Sequence, residues 1–256
     1  MKKTEFTCQR GTLKIRGTRF CGAPNAPIAV ISHGFTGDRS QLVTYAQAVA
    51  DMGFDCYTFD FCGGGLGSES DGATDQMSVL TETEDLKAVI RWACAESGDP
   101  ARAVTLIGCS QGGFVSALVA AELGSKVQAL VLFYPALCIP DDARRGKMIL
   151  AEFDPKQIPE TFSCGPMLLG RCYVTDVNTM DPFARITAYR GPVLILHGGA
   201  DSLVPLAYSE RAARAYGSHC TLKVIEGADH GFVGAQDAQA IQEMQQFLRT
   251  VCFGVG

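Results

Sequence analysis

The chain has 256 residues, 47% apolar and 19% charged, with a formal net charge of -5. That length accommodates one large α/β domain or two small ones. The acidic balance argues against nucleic acid or anionic membrane as a partner, and no apolar run reaches the length that spans a bilayer.

Met1-Lys2-Lys3 opens the chain as a signal peptide can, but residues 4–10 supply no apolar stretch behind it. No export signal is read, and a cytoplasmic protein is expected. The eleven cysteines are scattered, several inside apolar runs (Cys56, Cys94, Cys252), with no CxxC and no Cys/His cluster. They read as buried, reduced thiols rather than metal ligands.

Residues 4–8 and 12–16 alternate polar and apolar around Arg10-Gly11, which predicts an antiparallel hairpin at a sheet edge. Ile28-Ala29-Val30-Ile31 is a continuous apolar run suited to a strand buried on both faces, and Ser32-His33-Gly34-Phe35-Thr36-Gly37 follows it. Leu42, Ala46 and Val49 repeat at helical spacing until Gly53 closes the helix. Residues 54–59 form the next strand, and 60–68 a glycine-rich loop. That loop lacks the Gly-Lys-Ser/Thr of a phosphate loop, so it is expected to line a site at the carboxyl end of its strand. Leu86, Ile90 and Ala93 mark a helix ending near Gly98. Residues 103–107 and 114–120 form a strand and an apolar helix around Gly108-Cys109-Ser110-Gln111-Gly112-Gly113, and 127–133 another buried strand.

Strand and helix patterns therefore alternate, the sign of βαβ units and a mostly parallel sheet. The alternation breaks at about 134–185, which holds Pro135, Pro140, Pro155, Pro159, Pro166 and Pro182 with short apolar pieces between them. A structureless loop that long is out of place in a compact domain, so this stretch is expected to be an inserted lid in a single domain over 1–256. Residues 192–197 resume the sheet. A helix over 205–216, a strand over 220–225 and a last helix marked by Ile241, Met244, Leu248 and Val251 complete it.

Strand, Gly-x-Ser-x-Gly, helix is the context of a nucleophile elbow, which makes Ser110 the candidate nucleophile. A serine hydroxyl needs a general base. Of four histidines, His33 and His197 end buried strands and take structural roles by default, and His219 precedes a strand at the surface. His230 lies just past the last strand, at the carboxyl edge where open α/β sheets keep their sites. The base needs an acid on its other ring nitrogen. Asp201, in His197-Gly198-Gly199-Ala200-Asp201, hangs in the loop nearest His230. Asp229 is the rival and Asp60 a third candidate. The order Ser110, Asp201, His230 is that of α/β-hydrolases. An oxyanion at the attacked carbonyl calls for two backbone N–H groups, and Gln111 and Phe35 are the candidates.

His33-Gly34-Phe35-Thr36-Gly37, the Gly-x-Ser-Gln-Gly-Gly elbow, the His-Gly-x-x-Asp-x-x-Val loop and Ala-Asp-His-x-Phe together resemble the bacterial cinnamoyl (feruloyl) esterases, over nearly the whole chain. The resemblance implies an α/β-hydrolase fold with a small lid and hydrolysis of hydroxycinnamate esters without a cofactor. It implies Ser110, Asp201 and His230 as triad, and Phe35 and Gln111 as oxyanion donors. It also implies Asp142 and Tyr173 in the lid near the phenolic end of the substrate. The chain departs from the family in having Cys109 where a histidine usually precedes the nucleophile, and in its Gly-Gly-Ala-Asp loop, both of which bear on substrate preference.

The leading expectation is thus a serine carboxylesterase for aryl-acid esters, with Phe153, Phe162 and Tyr173 as aromatics that could stack on a planar acyl group or form the lid's own core. Other expectations on the same scaffold are a short-chain acyl esterase, a monoacylglycerol-type lipase, a peptidase or a C–C hydrolase. From other classes come a binding protein that has lost catalysis and a thiol role for Cys109 or Cys62. Scaffolds of this kind are commonly homodimers, and no residue here argues for a second copy.

Overall fold

A computed structural model describes residues 2–23 and 25–254. The amino-terminal hairpin forms as expected, with β1 (Lys3–Arg10) and β2 (Leu13–Phe20) antiparallel. The strands β3 (Ile28–Ser32), β4 (Asp55–Phe59), β5 (Val104–Cys109), β6 (Val127–Phe133), β11 (Val193–Gly198) and β12 (Cys220–Ile225) run parallel. They join the hairpin in one eight-stranded sheet of order β1-β2-β4-β3-β5-β6-β11-β12, in which β2 meets β4 antiparallel. This is the α/β-hydrolase fold.

The sheet has helices on both faces, which explains why its inner parallel strands β3, β6 and β11 read as mostly apolar runs. In β3, Ile28 and Val30 face one core while Ala29 and Ile31 face the other. In β11, Val193 and Ile195 alternate in the same way with Leu194 and Leu196. On the first face lie α2 (Val79–Glu96), α3 (Gln111–Leu123) and α7 (Leu206–Tyr216). On the second lie α1 (Val43–Ala50) and α8 (Ala235–Phe253). α3 is apolar all round because it is enclosed all round, with Gln111 to Ala120 buried against β5, β6 and α2. α2 starts about two turns before Leu86, the first residue of its apolar repeat. Ser78 and Thr81 form a reciprocal capping box there, a device that stabilises a helix by about 1 kcal/mol.

Between β6 and β11 the chain builds α4 (Ile139–Arg145), the two short hairpins β7 (Lys147–Met148)/β8 (Ala151–Glu152) and β9 (Thr161–Cys164)/β10 (Met167–Gly170), then α5 (Cys172–Thr175) and α6 (Pro182–Ile186). The segment is tied to the start of α2. Thr74 Oγ1 donates to the Leu168 carbonyl at 2.5 Å, and Ser78 Oγ to Asp176 Oδ2 at 2.5 Å. α6 packs back on α3 and α7 with the main layers. None of the described helices is long and apolar enough to cross a membrane, and no group of described side chains could hold a metal ion. All eleven cysteines are unpaired.

Candidate active site

Ser110 sits between β5 and α3 at φ +54° and ψ -119°, a left-handed conformation that costs a non-glycine residue about 1–3 kcal/mol. Its surroundings hold it there. The Ser110 N–H donates to the Phe133 carbonyl at 2.9 Å, and its own carbonyl accepts from Gly113, Phe114 and Ala136. The turn also needs close backbone approach, since a Cβ on Gly112 would stand 2.2 Å from the His33 carbonyl oxygen. The loop after β3 crosses directly over the serine, where a Cβ on Gly34 would lie 3.0 Å from Ser110 Cβ.

His230 Nε2 lies 3.0 Å from Ser110 Oγ, and its Nδ1 lies 2.9 Å from Asp201 Oδ2. An N–H on Nδ1 donating to the carboxylate leaves the Nε2 lone pair aimed at the serine hydroxyl. Asp201 is held on every side. Its Oδ1 accepts from the Leu203 and Val204 amides at 3.0 and 2.8 Å, and His197 Nε2 stands 3.3 Å from Oδ2. Burial pushes the Asp201 carboxyl pKa up, but hydrogen bonds from His197, His230 and the Val204 amide outweigh it. The group stays ionised far below the usual carboxylate range.

The rivals have other work. Asp229 Oδ1 accepts from the Ser202 amide and hydroxyl and from the His230 amide, shaping the loop. Asp60 accepts from the Arg39 and Glu69 amides and the Arg39 guanidinium, closing the glycine-rich loop. His33 donates through Nδ1 to the Gly34 carbonyl and accepts the Phe61 N–H on Nε2, and burial lowers its pKa. His197 donates to the Val204 carbonyl and accepts from the Ser209 hydroxyl, while His219 is exposed.

The Phe35 and Gln111 amide N–H groups have no acceptor among the described residues, and both residues border a compartment reaching Ser110. Gln111 heads α3, where the helix dipole favours negative charge. Its side chain sits in a buried relay. Tyr173 Oη donates to Gln111 Oε1 at 2.6 Å, and Gln111 Nε2 donates to Glu82 Oε2 at 2.8 Å. Burial raises the Glu82 pKa well above the carboxylate range, with Asp85 adding repulsion against the Gln111 hydrogen bond. A carboxyl raised in the folded state stabilises least once pH exceeds its unfolded pKa, because only the unfolded chain then ionises it. Glu82→Gln is therefore expected to raise Tm over wild type at pH 8, with the gap shrinking toward pH 5. Thermal melts across that range check it.

Two compartments meet at Ser110. The narrow one, about 50 Å³, is bordered by Phe35, Gln111, Ile139, Met148, Ile149 and Tyr173, with Asp142 also on its wall. The wide one, about 380 Å³, has His230 on its wall. Asp142 and Tyr173 thus lie together near the nucleophile. Asp142 is paired with Arg145, and the Tyr173 ring stands 5.8 Å from that of Phe35. Phe153 and Phe162 pack on each other 5.1 Å apart and border neither compartment, so of the three aromatics only Tyr173 reaches the site. The Cys109 thiol is pushed up to about 12 by burial and faces the Tyr134 hydroxyl, and burial likewise lifts Cys62 to about 12. Neither is a thiolate at neutral pH.

Two features escaped the sequence reading. Glu82 had a signal, since it shares a helical face with Val79 and Leu86 and so places a carboxyl on an apolar stripe. Tyr134 had none: it turns to φ +37° at the end of β6 and sets its ring edge-on to the His230 imidazole, 4.7 Å away.

Residues 23–163 and 173–237 match the family model described as serine aminopeptidase, S33. Among solved structures, Est1E from Butyrivibrio proteoclasticus with ferulic acid bound superposes with a TM-score of 0.85 at 26% identity, covering 94% of this chain and 98% of that one. The esterase domain of a Rhodothermus marinus protein superposes with a TM-score of 0.73 at 21% identity, covering 97% and 98%, a likeness of fold alone. An uncharacterized protein of Mycobacterium tuberculosis is 27% identical over 207 residues, 80% of this chain and 63% of that protein. An uncharacterized 31.7 kDa protein of Escherichia coli is 36% identical over 88 residues, 34% of this chain and 30% of that protein. The chain spans less than two thirds of the length of these curated relatives.

Proposed function

The chain belongs to the serine aminopeptidase S33 family and is an α/β-hydrolase of the serine-hydrolase type; from that premise we propose that it hydrolyses esters of hydroxycinnamate-type acids through an acyl-enzyme. The observation that carries catalysis is the unbroken line of hydrogen bonds from Asp201 through His230 to Ser110. Ser110 Oγ attacks the ester carbonyl as its proton passes to His230 Nε2. The carbonyl oxygen, now negative, receives the Phe35 and Gln111 N–H groups. The bond to the alcohol oxygen breaks, and His230 returns the proton to that oxygen. Water, deprotonated by His230, then attacks the acyl-serine and releases the acid.

The acyl group enters the narrow compartment, beside the amide donors. Its walls are aromatic and aliphatic, and the Asp142 carboxylate there can accept a phenolic hydroxyl. The ferulic acid held by Est1E supports this choice of acid. Residues 134–185 serve as the lid, and the β7–β8 hairpin carries its decisive side chain. Ile149, at the tip, adopts φ +49°, a strained state for a β-branched residue at a turn position that suits glycine. With Ile149 there the compartment measures about 50 Å³, so a hydroxycinnamoyl group enters as the tip gives way. The same small volume favours a second reading, a short-chain acyl esterase.

One panel tests both. kcat/KM for methyl ferulate is expected to exceed that for methyl acetate and methyl butyrate. Ile149→Gly, which removes both the strain and the wall, is expected to widen the difference severalfold. Preference for the short acyl esters in wild type and variant alike would discard the hydroxycinnamate reading and leave the short-chain one.

A further inference from the structure

We infer that the wide compartment takes the leaving alcohol and selects a bulky apolar alcohol over a sugar. The inference rests on the esterase reading, and its orientation follows from proton transfer. The departing alkoxide must collect its proton from His230 Nε2, and His230 borders the wide compartment and not the narrow one, whereas Gln111 borders only the narrow one. Phe35 borders both, so Gln111 and His230 set the direction: an ester set across Ser110 points its acyl side toward Gln111 and its alcohol side into the wide groove.

The groove's chemistry defines the alcohol. Its volume is about 380 Å³, against about 50 Å³ on the acyl side, and no Asp, Glu, Lys or Arg side chain borders it. Leu42, Tyr45, Tyr134, Ile149, Leu150 and Leu203 are among the side chains on its wall. The tyrosines offer ring rather than hydroxyl. Tyr45 Oη donates to Asp237 Oδ1 at 2.6 Å, and the Tyr134 hydroxyl faces Tyr45 and the Cys109 thiol. A sugar would bring several hydroxyls to a wall whose uncommitted polar side chains are those of Thr36 and Gln41, leaving most of them without partners. An alkyl or aryl alcohol meets no such deficit. The mouth points the same way. Leu150 is 73% exposed, Leu203 45% and Ile149 41%, three large apolar side chains gathered around one opening, where a transient apolar ligand would cover them.

The test holds the acyl group constant at whichever methyl ester is cleaved best and varies only the alcohol, so it stands apart from the acyl panel. Relative to the methyl ester, the 2-phenylethyl and octyl esters are expected to gain about ten- to a hundredfold in kcat/KM, with the glucosyl ester at or below methyl. Leu150→Asp, a change at an exposed hairpin tip, is expected to cut that gain to less than about threefold. Leu168→Asp, at an exposed apolar position bordering neither compartment, is expected to keep it. A flat series, a glucosyl ester preferred to the octyl one, or an undiminished gain in Leu150→Asp would each overturn the inference. If the acyl panel favours short acids while the alcohol series rises, only the hydroxycinnamate reading falls.

Discussion

Ser110→Ala is expected to lower kcat by about 10⁴–10⁶-fold with little change in KM or Tm. Among the described residues the hydroxyl's one partner is His230 Nε2, which is part-exposed, so its removal leaves no buried polar group behind. An alanine bears the same Cβ as serine and meets the same left-handed backbone at φ +54°, so the elbow keeps both its strain and the hydrogen bonds that oppose it. The side chain next to it does not substitute. Cys109 is buried, its thiol pushed up to about 12 and turned toward Tyr134. Steady-state kinetics on the best ester, beside a melt of the same sample, separate lost chemistry from lost fold.

Asp201→Asn is expected to cost about 10⁴-fold in kcat while the chain stays folded. The carboxylate has four neighbours that donate to it or face it: two backbone amides at Oδ1, and His230 and His197 at Oδ2. An asparagine has one oxygen. With that oxygen on the Leu203 and Val204 amides, its NH₂ faces His230 Nδ1, and the imidazole is held in the tautomer with hydrogen on Nε2. That nitrogen then points a proton at Ser110 in place of a lone pair. His197 loses less, because its Nε2 still donates to the Val204 carbonyl at 2.9 Å. A kcat that falls about as far as in Ser110→Ala, with KM nearly unchanged, is the expected pattern.

The sheet was legible because its inner parallel strands β3, β5, β6 and β11 are buried on both faces and therefore mostly apolar, whereas β12, at the edge, alternates and is half exposed. Val104 to Cys109 and Val193 to Gly198 could be bounded to within two residues. That Ser110, His230 and Asp201 come together was legible because the elbow marks Ser110, and the few histidines and the chain order narrow its candidate partners. Asp229 lay next to His230 in sequence, yet the loop turns its carboxylate back onto Ser202. The inserted segment was legible as a break in alternation and not as structure. Its hairpins are two and four residues per strand, too short to show a period. Ile149 breaks the local turn rule, which is a matter of tertiary context that no pattern along the chain carries. Phe153 and Phe162 stood open between stacking on a ligand and forming the segment's own core for the same reason: composition places them in the segment, and only packing shows that they face each other.

The most direct test of the account is the intact mass of the protein after incubation with a fluorophosphonate, followed by peptide mapping. A single phosphonate adduct on Ser110 is expected, complete in wild type, slowed in Asp201→Asn and absent in Ser110→Ala. A folded wild-type protein that takes no adduct, or an adduct on any residue other than Ser110, would contradict it.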